Sequence, residues 1–211
     1  MTVVTRLHDL RIHPRRVRVL RDHFAELLPS NARVLDVGCG DGLLAQLLTQ
    51  ARPDVEIIGI DVLVRPETSI PVRPFDGQVI PFGPAAFDVV LLVDVLHHLD
   101  DPTTLLREAA RVAGIAVLIK DHTRNGFLAA TTLRLMDRVG NAHHGVALPY
   151  TYWARERWLR TFTDLGLQVV AWRGRLGLYP ALLGWSFERS LHFIARLDVA
   201  RRTDGAALTG S

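Results

Sequence analysis

Three glycines at every second position, Gly38, Gly40 and Gly42, follow an apolar run that contains the acid Asp36. The apolar residues of "RVLDVGCGDG" predict a buried strand, and the leucine-rich residues that follow predict a helix. Glycine has no Cβ atom, so this spacing permits a tight turn and a close approach of the backbone to a ligand. The start of the helix adds unpaired backbone N–H groups, which favour an electron-rich ligand. The stretch therefore predicts a ligand-binding turn.

A second acid, Asp61, ends the next predicted strand, 19 residues after Gly42. In nucleotide-binding βαβ units a carboxylate at an offset of ~20 residues reaches the ribose hydroxyls. A carboxylate accepts hydrogen bonds from both hydroxyls at once. Asp61 thus predicts a ligand that contains a ribose, and a turn acid or helix cap is the alternative.

Helical patterns alternate with short apolar strand patterns along the chain, which predicts an α/β fold. The strands are apolar on both faces, as expected for a doubly wound, mostly parallel sheet that is covered by helices on both sides. Near the C-terminus two further strand patterns predict an antiparallel hairpin. Ligands of such sheets bind outside the carboxyl ends of the strands, where the glycine turn lies.

Composition predicts one domain over residues 1–200, with a long connection at about 123–152 that we interpret as a lid and substrate segment, and a disordered tail at 201–211. No apolar run is long enough for a membrane span and no signal peptide is evident, so we expect a cytoplasmic protein. A single cysteine, Cys39, excludes an internal disulfide framework. The net charge of +3 makes nucleic acid an unlikely partner.

The glycine spacing separates two classes of ribose-containing ligand. A dinucleotide fingerprint would place its third glycine at Leu43, whereas this chain has it at Gly42. The motif "VLDVGCGDG" instead resembles the first motif of class I S-adenosylmethionine-dependent methyltransferases, closest to the small-molecule, type-11-like branch. The resemblance continues through "GIDV", "FDGQVIPFGPAAFDVVLLVDVLHHLDDP", "LLREAARV" and "VLIKDH", and it covers about residues 33–122. It implies a seven-stranded Rossmann-like sheet and S-adenosyl-L-methionine as the cofactor.

The resemblance also implies a role for each residue that matches a motif of the family. Asp36 and the glycine turn would hold the methionine portion, Asp61 the ribose and Asp76 the adenine amino group, while Asp94 would face the reactive methyl. The full cofactor set comprises Asp36, Gly38, Gly40, Gly42, Asp61, Val62, Asp76, Gly77 and Asp94.

Methyl transfer from a sulfonium needs little from side chains beyond alignment and exclusion of water. A hydroxyl acceptor also needs a base, and histidine is the usual one. Our candidates are His122 with Asp121, at the end of the fifth predicted strand, and His144 in the predicted lid. For His97 and its neighbour in "LHHL" we favour packing or capping over catalysis, and we predict no metal site.

The chain therefore predicts a methyltransferase that acts on a small, fairly apolar molecule. A nicotinamide-dependent oxidoreductase is the alternative enzyme, disfavoured by Leu43 and by the absence of a Tyr-x-x-x-Lys pair. A non-catalytic binding module with the same fold is the alternative outside enzymes. Apolar residues near the C-terminal hairpin leave contact with a membrane surface open, although we do not expect it, and the sequence does not predict an oligomeric state.

Overall fold

A computed structural model describes residues 13–124, 151–178 and 191–200 of the chain. Within these residues four α-helices, one short 3₁₀-helix (Leu96–His98) and seven strands are present. The helices are α1 (His13–Leu27), α2 (Leu43–Ala51), α3 (Pro102–Val112) and α4 (Arg155–Asp164). The strands are β1 (Arg33–Val37), β2 (Glu56–Asp61), β3 (Val72–Pro74), β4 (Phe87–Val93), β5 (Ala113–His122), β6 (Leu167–Arg173) and β7 (His192–Val199).

The strands form one sheet in the order β3-β2-β1-β4-β5-β7-β6. Strands β1 to β5 pair in parallel, whereas β7 is antiparallel to both β5 and β6. This arrangement confirms the predicted doubly wound sheet with a C-terminal antiparallel hairpin. The parallel pairing brings the carboxyl ends of β1, β2, β4 and β5 to the same edge.

Helices cover both faces of the sheet, and alternate residues of each strand contact opposite layers. Val34 packs into a cluster with α1 and α2, while its neighbour Leu35 packs into a cluster with α3 and α4. Both side chains are fully buried. Because successive side chains of a strand point to opposite faces, a central strand flanked by two helical layers must be apolar throughout.

Helix α3 begins where the sequence favours it, since Asp101 accepts a hydrogen bond from the backbone N–H of Thr103 (3.0 Å) and Pro102 takes the first helical position. Its end differs from the sequence pattern, which marks Gly114 as the stop. The helix ends at Val112, because Ala113 is already extended and pairs with Phe87 as the first residue of β5.

The predicted lid lies almost entirely outside the described residues, which include only positions 123, 124, 151 and 152 of it. The predicted tail, 201–211, lies outside them as well. In the described part of the chain no helix combines the length and the apolar character needed to cross a bilayer.

We predict that Trp158 of α4 is the side chain whose truncation destabilises the C-terminal half most. It is fully buried against Trp153, Phe162 and Phe193, and its indole N–H donates to the carbonyl of His122 (3.1 Å). Trp158→Ala should lower the free energy of unfolding by about 3–5 kcal/mol. Trp158→Phe keeps most of the packing and should cost much less. Urea denaturation measures both, and equal losses would contradict this assignment.

Candidate functional site

The glycine turn after β1 is held by hydrogen bonds that its backbone N–H groups donate to the end of β2. The N–H of Gly38 donates to the carbonyl of Ile60 (2.8 Å), and the N–H of Gly40 donates to Oδ2 of Asp61 (2.8 Å). Gly38 has a φ of 72°, and a Cβ atom there would lie 2.5 Å from Cγ2 of Val95. Glycine is therefore required at position 38 both by backbone conformation and by packing.

Asp61 holds this turn through both carboxylate oxygens. Oδ2 accepts from Gly40, and Oδ1 accepts from the backbone N–H of Leu63 (2.9 Å). Each oxygen keeps a second lone pair, so the carboxylate can still accept from ribose hydroxyls. Asp61 can therefore act as a turn acid and still bind a ribose, so the two alternatives do not exclude each other.

Asp36 is a buried carboxylate that no described residue neutralises. Its exposed fraction is 3%, and no hydrogen bond or ion pair joins its carboxylate to another described residue. Burial, together with the nearby charge of Asp61, raises the pKa of Asp36 to about 7. A cation that binds beside such a carboxylate would stabilise its charged form. The ammonium group of the S-adenosylmethionine that the sequence implies is such a cation.

The predicted adenine residues lie beside an exposed apolar surface. Oδ1 of Asp76 accepts from the backbone N–H groups of Gln78 and Val79 (2.8 Å each), and these bonds lower the pKa of Asp76, that of Val79 having the larger effect. Oδ2 makes no hydrogen bond to a described residue. Val62 and Val79 are 64% and 58% exposed. An adenine ring would cover such apolar side chains while Oδ2 accepts from its amino group.

Asp94 follows β4 and forms ion pairs with two cations. Nζ of Lys120, which is fully buried on β5, contacts Oδ1, and Nη2 of Arg16 on α1 lies 3.2 Å from Oδ2. Burial alone would raise the pKa of Asp94, but Lys120 and Arg16 outweigh it and hold the pKa well below its usual range. Burial in turn lowers the pKa of Lys120.

Asp121 and two imidazoles form a buried cluster next to this pair. Oδ1 of Asp121 lies 2.8 Å from Nδ1 of His97, and Oδ2 accepts from the backbone N–H of Leu96 (3.0 Å). Nδ1 of His122 lies 3.3 Å from Nδ1 of His97, with the two rings nearly perpendicular. Burial and the charge of Lys120 lower the pKa of His122 to about 4. Although burial acts to raise the pKa of Asp121, the charge of His97 and the hydrogen bonds of the cluster hold it below the usual value.

Ligand atoms of Asp94, His97 and His122 all lie within 4.8 Å of one another, which is the spacing of a three-residue metal site. Lys120 and Arg16 contact the same Asp94 carboxylate and repel a divalent cation. We therefore interpret this group as a hydrogen-bonded cluster rather than a metal centre.

The structure brings the predicted cofactor residues together at one edge of the sheet and places Asp121 and His122 beside them. His144 lies outside the described residues, so its role stays a prediction. The contact of His97 with Asp121 and the contacts of Lys120 and Arg16 with Asp94 were not predicted from the sequence. Lys120 had a visible signal, because it is a charged residue inside the otherwise apolar run "IAVLIKDH".

Comparison with known proteins identifies the family. Residues 8–172, well over half of the chain, match the family model described as a methyltransferase domain. The chain therefore belongs to the methyltransferase domain family, and it is a member of the class I S-adenosylmethionine-dependent methyltransferases. S-adenosylmethionine is the cofactor of this class. The nicotinamide-dependent alternative has no support among these matches.

Two curated relatives match part of the chain. The ubiquinone biosynthesis O-methyltransferase of Proteus mirabilis is 32% identical over an alignment of 114 positions that covers 48% of this chain and 45% of that protein. The 27-O-demethylrifamycin SV methyltransferase of Amycolatopsis mediterranei is 33% identical over an alignment of 108 positions that covers 44% of this chain and 39% of that protein. The matched region thus spans less than half the length of either relative.

A solved structure shows the same fold at low identity. The 1,6-didemethyltoxoflavin-N1-methyltransferase of Burkholderia thailandensis superposes with a TM-score of 0.63 at 16% identity, covering 88% of this chain and 78% of that chain.

We predict that Asp36→Asn changes how stability depends on pH. Because the folded-state pKa of Asp36 is raised from 3.8 to about 7, its contribution to stability is present at low pH and is lost as the pH rises through 7. An asparagine side chain does not ionise, so the variant does not lose stability in this pH range. Its free energy of unfolding relative to the wild type should increase by about 3 kcal/mol between pH 5 and pH 8 without ligand. Urea denaturation at both pH values measures the difference, and a constant difference would contradict the raised pKa.

Proposed function

We propose that the protein transfers the methyl group of S-adenosylmethionine to a hydroxyl group of a small, fairly apolar molecule. The observation that carries this proposal is the hydrogen-bond contact between Asp121 and His97, 2.8 Å long, at the same sheet edge as the glycine turn. A carboxylate that orients an imidazole is the arrangement of a general base. The names of the two curated relatives, both of which refer to a methylated oxygen, support an oxygen acceptor.

The cofactor, when bound, supplies a methyl group on a positively charged sulfur, which is already activated for transfer. The chain's own residues then bind the cofactor and orient it. Asp36 neutralises the ammonium group, Asp61 accepts from the ribose, and Asp76 accepts from the adenine amino group. These contacts fix the methyl relative to the acceptor, and such alignment accounts for as much as ~7–11 kcal/mol of a barrier.

His97 is the imidazole that we assign to the proton transfer. Because Nδ1 faces the Asp121 carboxylate, that nitrogen carries the hydrogen and the basic lone pair lies on Nε2. Asp121 is held in turn by the backbone N–H groups of Leu96 and His122 (3.0 and 2.7 Å). The carboxylate stabilises the positive charge that the ring acquires when it takes a proton from the acceptor hydroxyl.

His122 and His144 were the bases expected from the sequence, and both remain candidates. The pKa of His122, lowered to about 4, makes this imidazole a weak proton acceptor at neutral pH. Its ring packs against those of His97 and His192. These contacts favour a packing role for His122 and favour His97 as the base.

A first experiment tests the cofactor. S-adenosylhomocysteine at a hundredfold excess over its Kd should stabilise the wild type by ~2.7 kcal/mol, and NAD should not. Asp36→Asn should lose most of this affinity, because the ammonium group would lose its counter-charge. Isothermal titration calorimetry provides the affinities. Stabilisation by NAD alone would contradict the proposal.

A second experiment tests the base. Labelled S-adenosylmethionine and a panel of small hydroxyl compounds identify an acceptor, and single-turnover rates are then compared for His97→Gln, Asp121→Asn and His122→Gln. We expect the first two to be slower by ~10²–10⁴-fold, with unchanged affinity for S-adenosylhomocysteine.

His23→Gln provides a matched control, since His23 lies on α1 and contacts the carbonyl of Leu176 rather than the cluster. A loss confined to His122→Gln would transfer the role of base to His122. Binding of the cofactor without any methyl transfer would favour the non-catalytic binding module.

A further inference from the structure

Lys120 is the only lysine of the chain, and its side chain is fully buried on β5. All other members of the 25 lysine and arginine residues are arginines. Nζ of Lys120 contacts Oδ1 of Asp94, and the backbone N–H of Asp94 donates to the carbonyl of Lys120 (2.9 Å). Asp94 has a φ of 56°, in the left-handed region that favours glycine. The side chain and the backbone of Lys120 therefore both hold Asp94 in place.

Two imidazole nitrogens face each other beside this ion pair. Nδ1 of His97 and Nδ1 of His122 are 3.3 Å apart, so only one of them can carry a hydrogen that points toward the other. Oδ1 of Asp121 lies 2.8 Å from the His97 nitrogen and 3.4 Å from the His122 nitrogen. Two cationic rings at this separation would repel each other. The pair therefore takes up its first proton on one ring, and Asp121 favours His97.

Asp94 is the carboxylate that could give His122 a counter-charge of its own. Its Oδ1 lies 3.8 Å from Nδ1 of His122, but the same oxygen contacts the ammonium group of Lys120. Of the acids in the described part of the chain, Asp94 and Asp121 are the two within ion-pair distance of His122. The ring also packs against the side chains of His192 and Tyr152, and Arg16 of α1 contacts the other oxygen of Asp94.

We propose that Lys120 is a positioning residue that keeps the catalytic proton on His97 by occupying the carboxylate of Asp94. The inference rests on the proposed function, in which His97 is the base. Lys120 acts through Asp94 and through its own charge, which disfavours a second cation at His122. The low pKa of His122, about 4, agrees with this role, since the charge of Lys120 lowers it after burial.

The order in which the two rings of the wild type take up protons is the first test, and it needs no substrate. NMR follows isotope-labelled histidine as the pH is lowered, and the signals of His97 and His122 are assigned by their loss in His97→Gln and His122→Gln. We expect His97 to take up a proton at a higher pH than His122. The opposite order overturns the proposal.

Two variants test the role of Lys120 in this order. Lys120→Met removes the charge and keeps a long side chain in the buried position, so Asp94 becomes available to His122 and the pKa of His122 should rise by about one pH unit or more. Lys120→Met/Asp94→Asn also removes the counter-charge and should return that pKa toward its wild-type value. A packing role of Lys120 does not produce this reversal. Where Lys120→Met does not fold, the uncharged polar variant Lys120→Gln replaces it with the same expectation.

Arg16→Gln is the matched control, because Arg16 contacts the other oxygen of Asp94 and its side chain is 22% exposed. Its removal leaves Lys120 on Oδ1, so the pKa of His122 should change by less than about half a pH unit. An unchanged pKa of His122 in Lys120→Met overturns the proposal. So does a rise that the additional change Asp94→Asn fails to reverse.

A kinetic measurement separates this proposal from the proposed function. Once an acceptor is known, single-turnover methyl transfer by the wild type and by Lys120→Met is measured against pH. The rate of Lys120→Met should begin to fall at a higher pH than that of the wild type, by about one pH unit, because the two rings then take up their first proton more readily. Coincident pH profiles contradict the role of Lys120. A wild type that shows the expected protonation order but transfers no methyl group contradicts the proposed function instead.

Discussion

The parallel register of the central strands is the constraint on which the whole site depends. Val37 pairs with Ile60 on one side and with Leu92 on the other, and Val93 pairs with Lys120. These pairings set the ends of β1, β2, β4 and β5 side by side. The polar residues that follow each apolar strand therefore meet at one edge, although they are far apart in the sequence. A shift of one residue in any strand would turn its last side chains to the opposite face.

Two buried charged side chains at this edge differ in whether another residue of the chain neutralises them. Lys120 is neutralised within the chain by Asp94, so its burial is compensated whether or not a ligand is bound. Asp36 has no such partner among the described residues, and its burial raises the pKa of its carboxyl group. An uncompensated buried acid lowers the stability of the folded protein unless a cation arrives from outside. If Asp36 binds the ammonium group as proposed, stability is given up at this position for binding.

The sequence predicted the sheet, the glycine turn and the position of Asp61, because these depend on residues close together in the chain. The turn and Asp61 belong to one βαβ unit, whose length fixes their relation. The Asp121–His97 and Arg16–Asp94 contacts, which join residues 24 and 78 positions apart, could not be predicted, since no motif spacing relates these residues. The pattern "LHHL" fits a capping turn equally well, and only the neighbouring strand shows which ring meets a carboxylate.

This difference in predictability distinguishes the part of the site proposed to bind the cofactor from the part beside His97 and Asp121. The proposed cofactor half is built from backbone N–H groups and acids at strand ends, so a short motif specifies it. The half beside His97 and Asp121 depends on side chains contributed by β5 and by the residues that follow β4, and the neighbouring Arg16 comes from α1. Changing one of those side chains leaves the sheet register intact, and it alters what can lie against the methyl group. The same fold can thus keep its cofactor while its acceptor changes, which agrees with relatives that match part of this chain and carry names of different acceptors.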